Sequence, residues 1–238
     1  MLILVACRGE EIEESVVASD VFPPEITDPI IYLYNAHPRE MIGSSFADLS
    51  IGEMSVVELS HLLADHLESY GVSSLVELRC VTERLRANDW GFNRSYSAAR
   101  HFLSDVIEWY PSLRLFIDLH RDGIAHYLAS VDIDNRSYAQ VLFVIGTDNP
   151  DGYRANYEVA RTLHYMMEER RPGISRGIFL SGGAGRNGIY NQDLASTVQL
   201  IEVGTVETTV EEAMNTIEIL AEVIAEFIHN EFVQQLDN

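Results

Sequence analysis

The amino-acid sequence predicts an α/β fold with a mixed, largely parallel central sheet flanked by helices. From about residue 30 onwards, apolar runs of strand length alternate with amphipathic runs of helix length, which is the pattern of βα units. The chain has 238 residues, of which 47% are hydrophobic, and this is enough to bury the core of such a sheet. We therefore expect one domain over residues 30–238, preceded by an acidic lead-in over residues 1–29.

The individual elements follow from these runs in chain order. Six apolar runs have the length of strands: IIYLYN (30–35), SLVELRCV (74–81), LRLFIDL (113–119), VLFVIG (141–146), RGIFL (176–180) and VQLIEVG (198–204). Four amphipathic runs have the length of helices, near 55–70, 96–109, 152–170 and 209–234. The last helix is the most clearly marked, because Thr208 and Thr209 offer an N-cap and apolar residues recur at helical spacing from Met214 to Ile228.

The charge of the chain argues against several classes of function. Sixteen basic residues against 37 acidic ones give a net charge of −21, so we expect no nucleic-acid partner. All the basic residues are arginine, and the absence of lysine excludes a P-loop lysine, a pyridoxal Schiff base and a Ser-Lys dyad.

The start of the chain bears on targeting. The segment MLILVAC ends like a lipoprotein cleavage site at Cys7, but it lacks a charged region and its apolar run is short. No run of eighteen apolar residues occurs elsewhere. We therefore predict no clear signal peptide or membrane anchor in this chain.

Three predicted strands carry ionisable residues at their carboxyl ends. His37 and Glu40 follow the first strand, His120 follows the third, and Glu202 lies in the last. Because the carboxyl ends of parallel strands share one edge of a sheet, these residues can converge although they are distant in sequence. Two imidazoles and two carboxylates can supply three ligands to a catalytic zinc ion and a free base beside it. Ordinary surface or core histidines are the alternative interpretation, since an HxxE triplet alone is a weak signal.

Three further features leave alternatives open. His126 lies six residues after His120 and could replace it as a ligand. Arg121 could bind a substrate carboxylate or form a salt bridge with one of the many acids. The glycine-rich segment 181–188 does not have the spacing of a phosphate-binding loop, and we interpret it as a loop flanking the site.

Five longer segments carry a family resemblance: IIYLYNAHPRE, SYSAARHFLSDVIEWYPSLRLFIDLHRDG, VLFVIGTDNP, ERRPGISRGI and YNQDLASTVQLIEVGTVETTVEEA. In this order and spacing they resemble the catalytic domain of stage II sporulation protein P, a family of cell-wall amidases of spore-forming bacteria. The resemblance covers roughly residues 30–228, and the strings DLHRDG, PGISRGI and LIEVG are its most specific part. It implies a fold related to the zinc-dependent amidases and exopeptidases.

The resemblance also implies a site and a substrate. His37, Glu40 and His120 match the positions that bind Zn²⁺ in the family, and Glu202 matches the catalytic glutamate. The implied reaction is hydrolysis of peptidoglycan at the amide between N-acetylmuramic acid and the L-alanine of the stem peptide. The implied partners are peptidoglycan and other cell-wall or sporulation proteins, and the implied location is extracytoplasmic, in the cell wall or an intermembrane space.

One departure from the family motif keeps two rival functions open. Family members usually read HxHxxE at the first motif, whereas this chain has Asn35 in place of the first histidine. A protein that has lost turnover would be a non-catalytic wall-binding or scaffold protein. A closer rival is a zinc peptidase that acts on the stem peptide.

Overall fold

A computed structural model describes residues 28–43 and 53–233. The MLILVAC segment and almost all of the predicted lead-in lie outside the described residues, so the boundary at residue 29 stays a prediction. The strands are β1 (Ile31–Tyr34), β2 (Met41–Ile42), β3 (Met54–Ser55), β4 (Ser74–Val76), β5 (Leu115–Asp122), β6 (Ser130–Ile133), β7 (Arg136–Ala139), β8 (Val141–Gly146), β9 (Ser175–Ser181) and β10 (Val198–Thr205). The α-helices are α1 (Val56–Ser69), α2 (Val81–Ala87), α3 (Ser95–Trp109), α4 (Arg154–Arg170) and α5 (Val210–Ile228).

Six of the strands form the central sheet, in the order β4-β1-β5-β10-β8-β9. Every neighbouring pair is parallel except β10 and β8, which are antiparallel. The predicted mixed, largely parallel sheet is therefore confirmed. The short strands β2 and β3 pair with each other outside this sheet, as do β6 and β7.

Side chains alternate along each strand, so the two faces of the sheet present different residues and pack against different helices. Odd-numbered residues of β1, β5, β8 and β10, such as Leu33 and Ile117, pack against α1, α4 and α5 in the larger core. Even-numbered residues of the same strands, such as Tyr32, Phe116 and Val198, pack against α2 and α3. The sheet is thus covered by helices on both faces.

Helix α5 begins where the sequence predicts an N-cap. The Thr209 side chain accepts a hydrogen bond from the main-chain N–H of Glu212, and the Glu212 carboxylate accepts one from the N–H of Thr209. This reciprocal arrangement satisfies two donors that a helix start otherwise leaves unpaired. Ser55 and Glu58 form the same capping box at the start of α1.

The strand predicted over residues 74–81 differs from the structure. Strand β4 ends at Val76, and α2, which the sequence analysis did not predict, begins at Val81. Between them, Glu77 forms an ion pair of 2.7 Å with Arg79 and accepts a hydrogen bond from the buried hydroxyl of Tyr32. The main-chain N–H of Glu77 still donates to the carbonyl of Leu33 on β1 over 2.8 Å, so the chain leaves the sheet after this residue.

Across the two described stretches, we find no helix with the length and apolar character needed to cross a membrane.

Candidate active site

Three of the predicted site residues come together at the carboxyl ends of the parallel strands β1 and β5. His37 and Glu40 lie in the loop after β1, and His120 lies on β5. Nδ1 of His37 is 3.3 Å from Oε1 of Glu40, and Nδ1 of His120 is 3.2 Å from Oε2 of the same carboxylate. One ligand atom from each residue lies within 4.8 Å of the other two. Two imidazoles and one carboxylate at this spacing could hold a metal ion.

The electrostatics of this cluster favour a positive charge. Burial lowers the pKa of His120, but the carboxylates of Asp118 and Glu40 outweigh burial and raise that pKa to about 10. Burial likewise opposes ionisation of Glu40, yet hydrogen bonds from His120 and His37 hold its pKa well below the usual 4.5. The carboxylates of Asp118 and Glu40 therefore stabilise the protonated form of His120. The same negative charges would attract a bound cation.

Asp118 is the residue of this site that the sequence analysis missed. Its side chain is fully buried, and Oδ1 lies 2.8 Å from Nε2 of His120 while accepting a hydrogen bond of 2.8 Å from the N–H of Ala36. Asp118 shares a sheet face with His120 because the two residues are two positions apart on β5. A carboxylate behind an imidazole fixes the orientation of the ring, as in many metal sites. The strand period in the string DLH could have revealed it.

Glu202 lies beside the cluster of three on the neighbouring strand. In the parallel pairing of β10 with β5, Glu202 is opposite His120, so both side chains project from the same face. Burial and the neighbouring Asp122 carboxylate raise the pKa of Glu202 from 4.5 to about 7. Asp122 is itself paired with Arg176 at 2.8 Å. A partly buried carboxylate with a pKa near neutrality can both accept and donate a proton at physiological pH.

Aromatic rings enclose the two histidines. The ring of Phe92 stacks on His37 with centroids 4.7 Å apart, and Tyr96 lies 6.2 Å from His120 in a nearly parallel arrangement. Phe92 remains 70% exposed, so it forms the outer wall of the site. These contacts restrict rotation of both imidazoles.

The other predicted residues take different positions. His126 lies away from the cluster, because its Nε2 contacts the Glu212 carboxylate at 2.9 Å, at the start of α5. The main-chain N–H of Arg121 donates to Glu40 over 3.2 Å. The expectation that segment 181–188 flanks the site is wrong: it follows β9, and since β8 and β9 run antiparallel to β10, it lies at the opposite edge of the sheet.

Comparison with known proteins supplies the family. A sequence profile of stage II sporulation protein P matches residues 9–225. The chain belongs to the stage II sporulation protein P family. It is 30% identical over 228 residues to the stage II sporulation protein P of Bacillus subtilis strain 168. The aligned region is 91% of this chain and 57% of that relative, so the chain spans little more than half the length of the curated protein it matches.

The architecture has a counterpart among solved structures. The CwlD amidase of Clostridioides difficile, solved in complex with the GerS lipoprotein, superposes with a TM-score of 0.52 at 11% sequence identity. The similarity covers 84% of this chain and 97% of that one. At this identity the likeness concerns the fold alone, so this chain and that amidase share an architecture.

Asn35, which departs from the family motif, lies on the other side of the sheet from the metal-ligand candidates. Its side-chain amide donates to the carbonyl of Leu119 over 2.7 Å and to the hydroxyl of Ser60 over 3.1 Å. It therefore ties β1 to β5 and α1 within the larger core. In this chain Asn35, at the first position of the family motif, makes structural contacts. The loop after β1 still supplies His37 and Glu40 to the cluster.

Proposed function

We propose that this chain is a zinc-dependent peptidoglycan amidase that cleaves the amide between N-acetylmuramic acid and the L-alanine of the stem peptide. The observation that carries the proposal is the convergence of His37, Glu40 and His120 next to Glu202 in a member of the sporulation family. This is the donor set and the free base that metal-assisted amide hydrolysis requires. Partners would be peptidoglycan and other cell-wall or sporulation proteins, in an extracytoplasmic compartment.

The residues present fit a zinc ion. His37, Glu40 and His120 would hold it, and Asp118 would fix the ring of His120 from behind. The same carboxylates that raise the pKa of His120 to about 10 would stabilise a cation in place of the proton. When bound, zinc supplies Lewis-acid activation of water and of carbonyl groups.

Glu202 would perform the proton transfers. Its carboxylate accepts the proton of the attacking water as the water oxygen bonds to the scissile carbonyl carbon. It then donates that proton to the peptide nitrogen as the carbon–nitrogen bond breaks. Asp122 and Arg176, which are paired with each other beside Glu202, would hold its carboxylate in place. The products are a lactyl carboxylate on the sugar and a free L-alanine amine on the peptide.

A zinc peptidase acting on the stem peptide is the second candidate function, and the same residues would serve it. The two functions differ in the bond that is cut, so the products of peptidoglycan digestion separate them. The scaffold alternative rests on Asn35, and the contacts of Asn35 with α1 and β5 weaken the reason for it.

The raised pKa of Glu202 predicts a stability effect in the metal-free protein. Because the folded state favours the protonated carboxyl, Glu202 contributes full stability below pH 4.5 and loses that contribution as pH rises to about 7. Glu202→Gln should therefore leave urea stability unchanged at pH 4.5 and raise it at pH 8, by at most about 3 kcal/mol. Glu169→Gln, on the exposed face of α4, is the matched control and should show no such difference between the two pH values. Equal stability of the Glu202 variant and the wild type at pH 8 would contradict the raised pKa of Glu202.

A further inference from the structure

A cleft of about 460 Å³ opens next to the candidate ligands His37 and Glu40. Its far side is formed by α2 and by the segment that leads from α2 to α3, including Trp90 and Phe92. Phe92 is also the ring that stacks on His37, so the wall of the cleft begins at the candidate metal ligands. A molecule held in the cleft would reach the reacting atoms directly.

The charge of this cleft is opposite to that of the chain. Three arginines line it, Arg39, Arg86 and Arg121, and Glu40 is the single acidic side chain among its lining residues. The whole chain, in contrast, has 37 acidic and 16 basic residues. A local cationic cleft in a protein of net charge −21 selects for anionic groups at short range.

The arginines of the cleft are also free to bind a ligand. Arg39 and Arg86 are exposed, and neither forms an ion pair with any residue in the described stretches. The side chain of Arg121 contacts the main-chain carbonyl of Asp122, and its Nε is buried without a hydrogen-bond partner among the described residues. Elsewhere, Arg100 and Arg176 are satisfied by carboxylates at 2.7 and 2.8 Å. Guanidinium groups left open in a cleft can receive carboxylates in bidentate geometry.

The proposed substrate has all its free carboxylates on one side of the scissile bond. The lactyl carboxyl of the sugar is consumed in the amide, and the remaining sugar groups are hydroxyls and acetamides. The stem peptide, in contrast, bears carboxylates beyond its first alanine. The charge of the cleft therefore matches the peptide side of the substrate and has no partner on the sugar side.

We propose that this cleft is the subsite for the leaving peptide, in which Arg39 and Arg86 recognise the free carboxylate of the second residue of the stem. The inference rests on the proposed amidase function and deepens it. Val81 and Leu85 of α2, which also line the cleft, provide the apolar surface for the short alanine side chain. Arg86 is thus a specificity-determining residue supplied by the helix that the sequence analysis did not predict.

Two synthetic substrates that differ in one group test the subsite. In both compounds the γ-carboxyl of the second residue is capped as its methylamide, because the next residue occupies that position in the stem. N-acetylmuramyl-L-alanyl-D-glutamate then carries one free carboxylate, the α-carboxylate, and N-acetylmuramyl-L-alanyl-D-isoglutamine carries an amide there. Binding of both is measured by calorimetric titration on the zinc-loaded Glu202→Gln variant, which retains the cleft. We expect the carboxylate to bind about 10- to 100-fold more tightly, as for a hydrogen bond to a charged group. Adding Arg86→Gln should reduce this ratio towards one, whereas Arg161→Gln, on the exposed surface of α4, should leave it unchanged.

The possible results separate the subsite from the function. Equal binding of the two compounds would overturn the subsite, and so would a preference that survives removal of both Arg39 and Arg86. Cleavage of either compound by the wild-type protein at the lactyl amide supports the amidase function whatever the ratio. A binding preference without any cleavage would keep the subsite and count against the amidase.

Discussion

Replacement of Glu202 by Gln is expected to lower peptidoglycan hydrolysis by about 10²- to 10⁴-fold while bound zinc stays at the wild-type level. The amide keeps the shape of the side chain but cannot accept the proton of the attacking water, and this range is typical of general acid-base help. Glu202 lies on β10, opposite His120 of β5 and therefore beside the three candidate ligands. A general base must lie close to the attacking water at this position. Turnover and zinc content should be measured on the same preparation.

The control for this variant is Glu169→Gln, which removes a carboxylate from the exposed face of α4 and should change neither quantity. Loss of zinc from Glu202→Gln would make Glu202 a ligand and reopen the role of Glu40. Undiminished hydrolysis would remove Glu202 from the mechanism.

The second large effect is expected for His120→Ala, which should reduce zinc from about one ion per chain to a small fraction of that value. A site with three protein ligands rarely retains the ion when one imidazole is lost, because the remaining donors cannot complete the tetrahedral shell. His120 is also the ligand candidate that Asp118 orients, so its loss removes the most constrained donor. Elemental analysis after dialysis measures the effect.

His126→Ala is the matched control, because it removes the neighbouring histidine of the same strand-to-loop region. His126 contacts Glu212 at the start of α5 and should leave zinc in place. Full zinc occupancy in His120→Ala, together with loss of zinc from His126→Ala, would show that His126 is the ligand and His120 is not.

The sequence predicted the fold class and the main elements because the central strands are apolar runs and all of them except β4 have a clear end. Among the described residues, the six strands of the central sheet and four of the five α-helices overlap the predicted runs, although β4 ends at Val76 and not at Val81. The exception is α2, whose first residue, Val81, belongs to an apolar run that continues from β4. Hydrophobicity alone could not show that Glu77 is buried against Arg79 and Tyr32 and that the chain leaves the sheet after it.

The candidate site was predictable in part. The carboxyl ends of parallel strands lie at one edge of a sheet, and this predicted that His37, Glu40 and His120 converge from distant positions. In the structure, one ligand atom of each residue lies within 4.8 Å of the others. The alternation in the string DLH places Asp118 on the same face as His120, but the pairing of Asp122 with Arg176 depends on strand register and rotamers that no local pattern encodes. The position of the glycine-rich segment was predicted wrongly because β8 runs antiparallel to β10. The composition of β8 does not show its direction in the sheet.

Digestion of purified peptidoglycan by the zinc-loaded protein tests the central claim most directly. Mass spectrometry of the released material identifies which bond is cut. An amidase releases stem peptides that begin with free L-alanine and leaves glycan strands whose lactyl groups end in carboxylates. Peptides that are shortened but still joined to the sugar would show a peptidase instead, and no release by folded, zinc-loaded protein would contradict an enzymatic role for this chain.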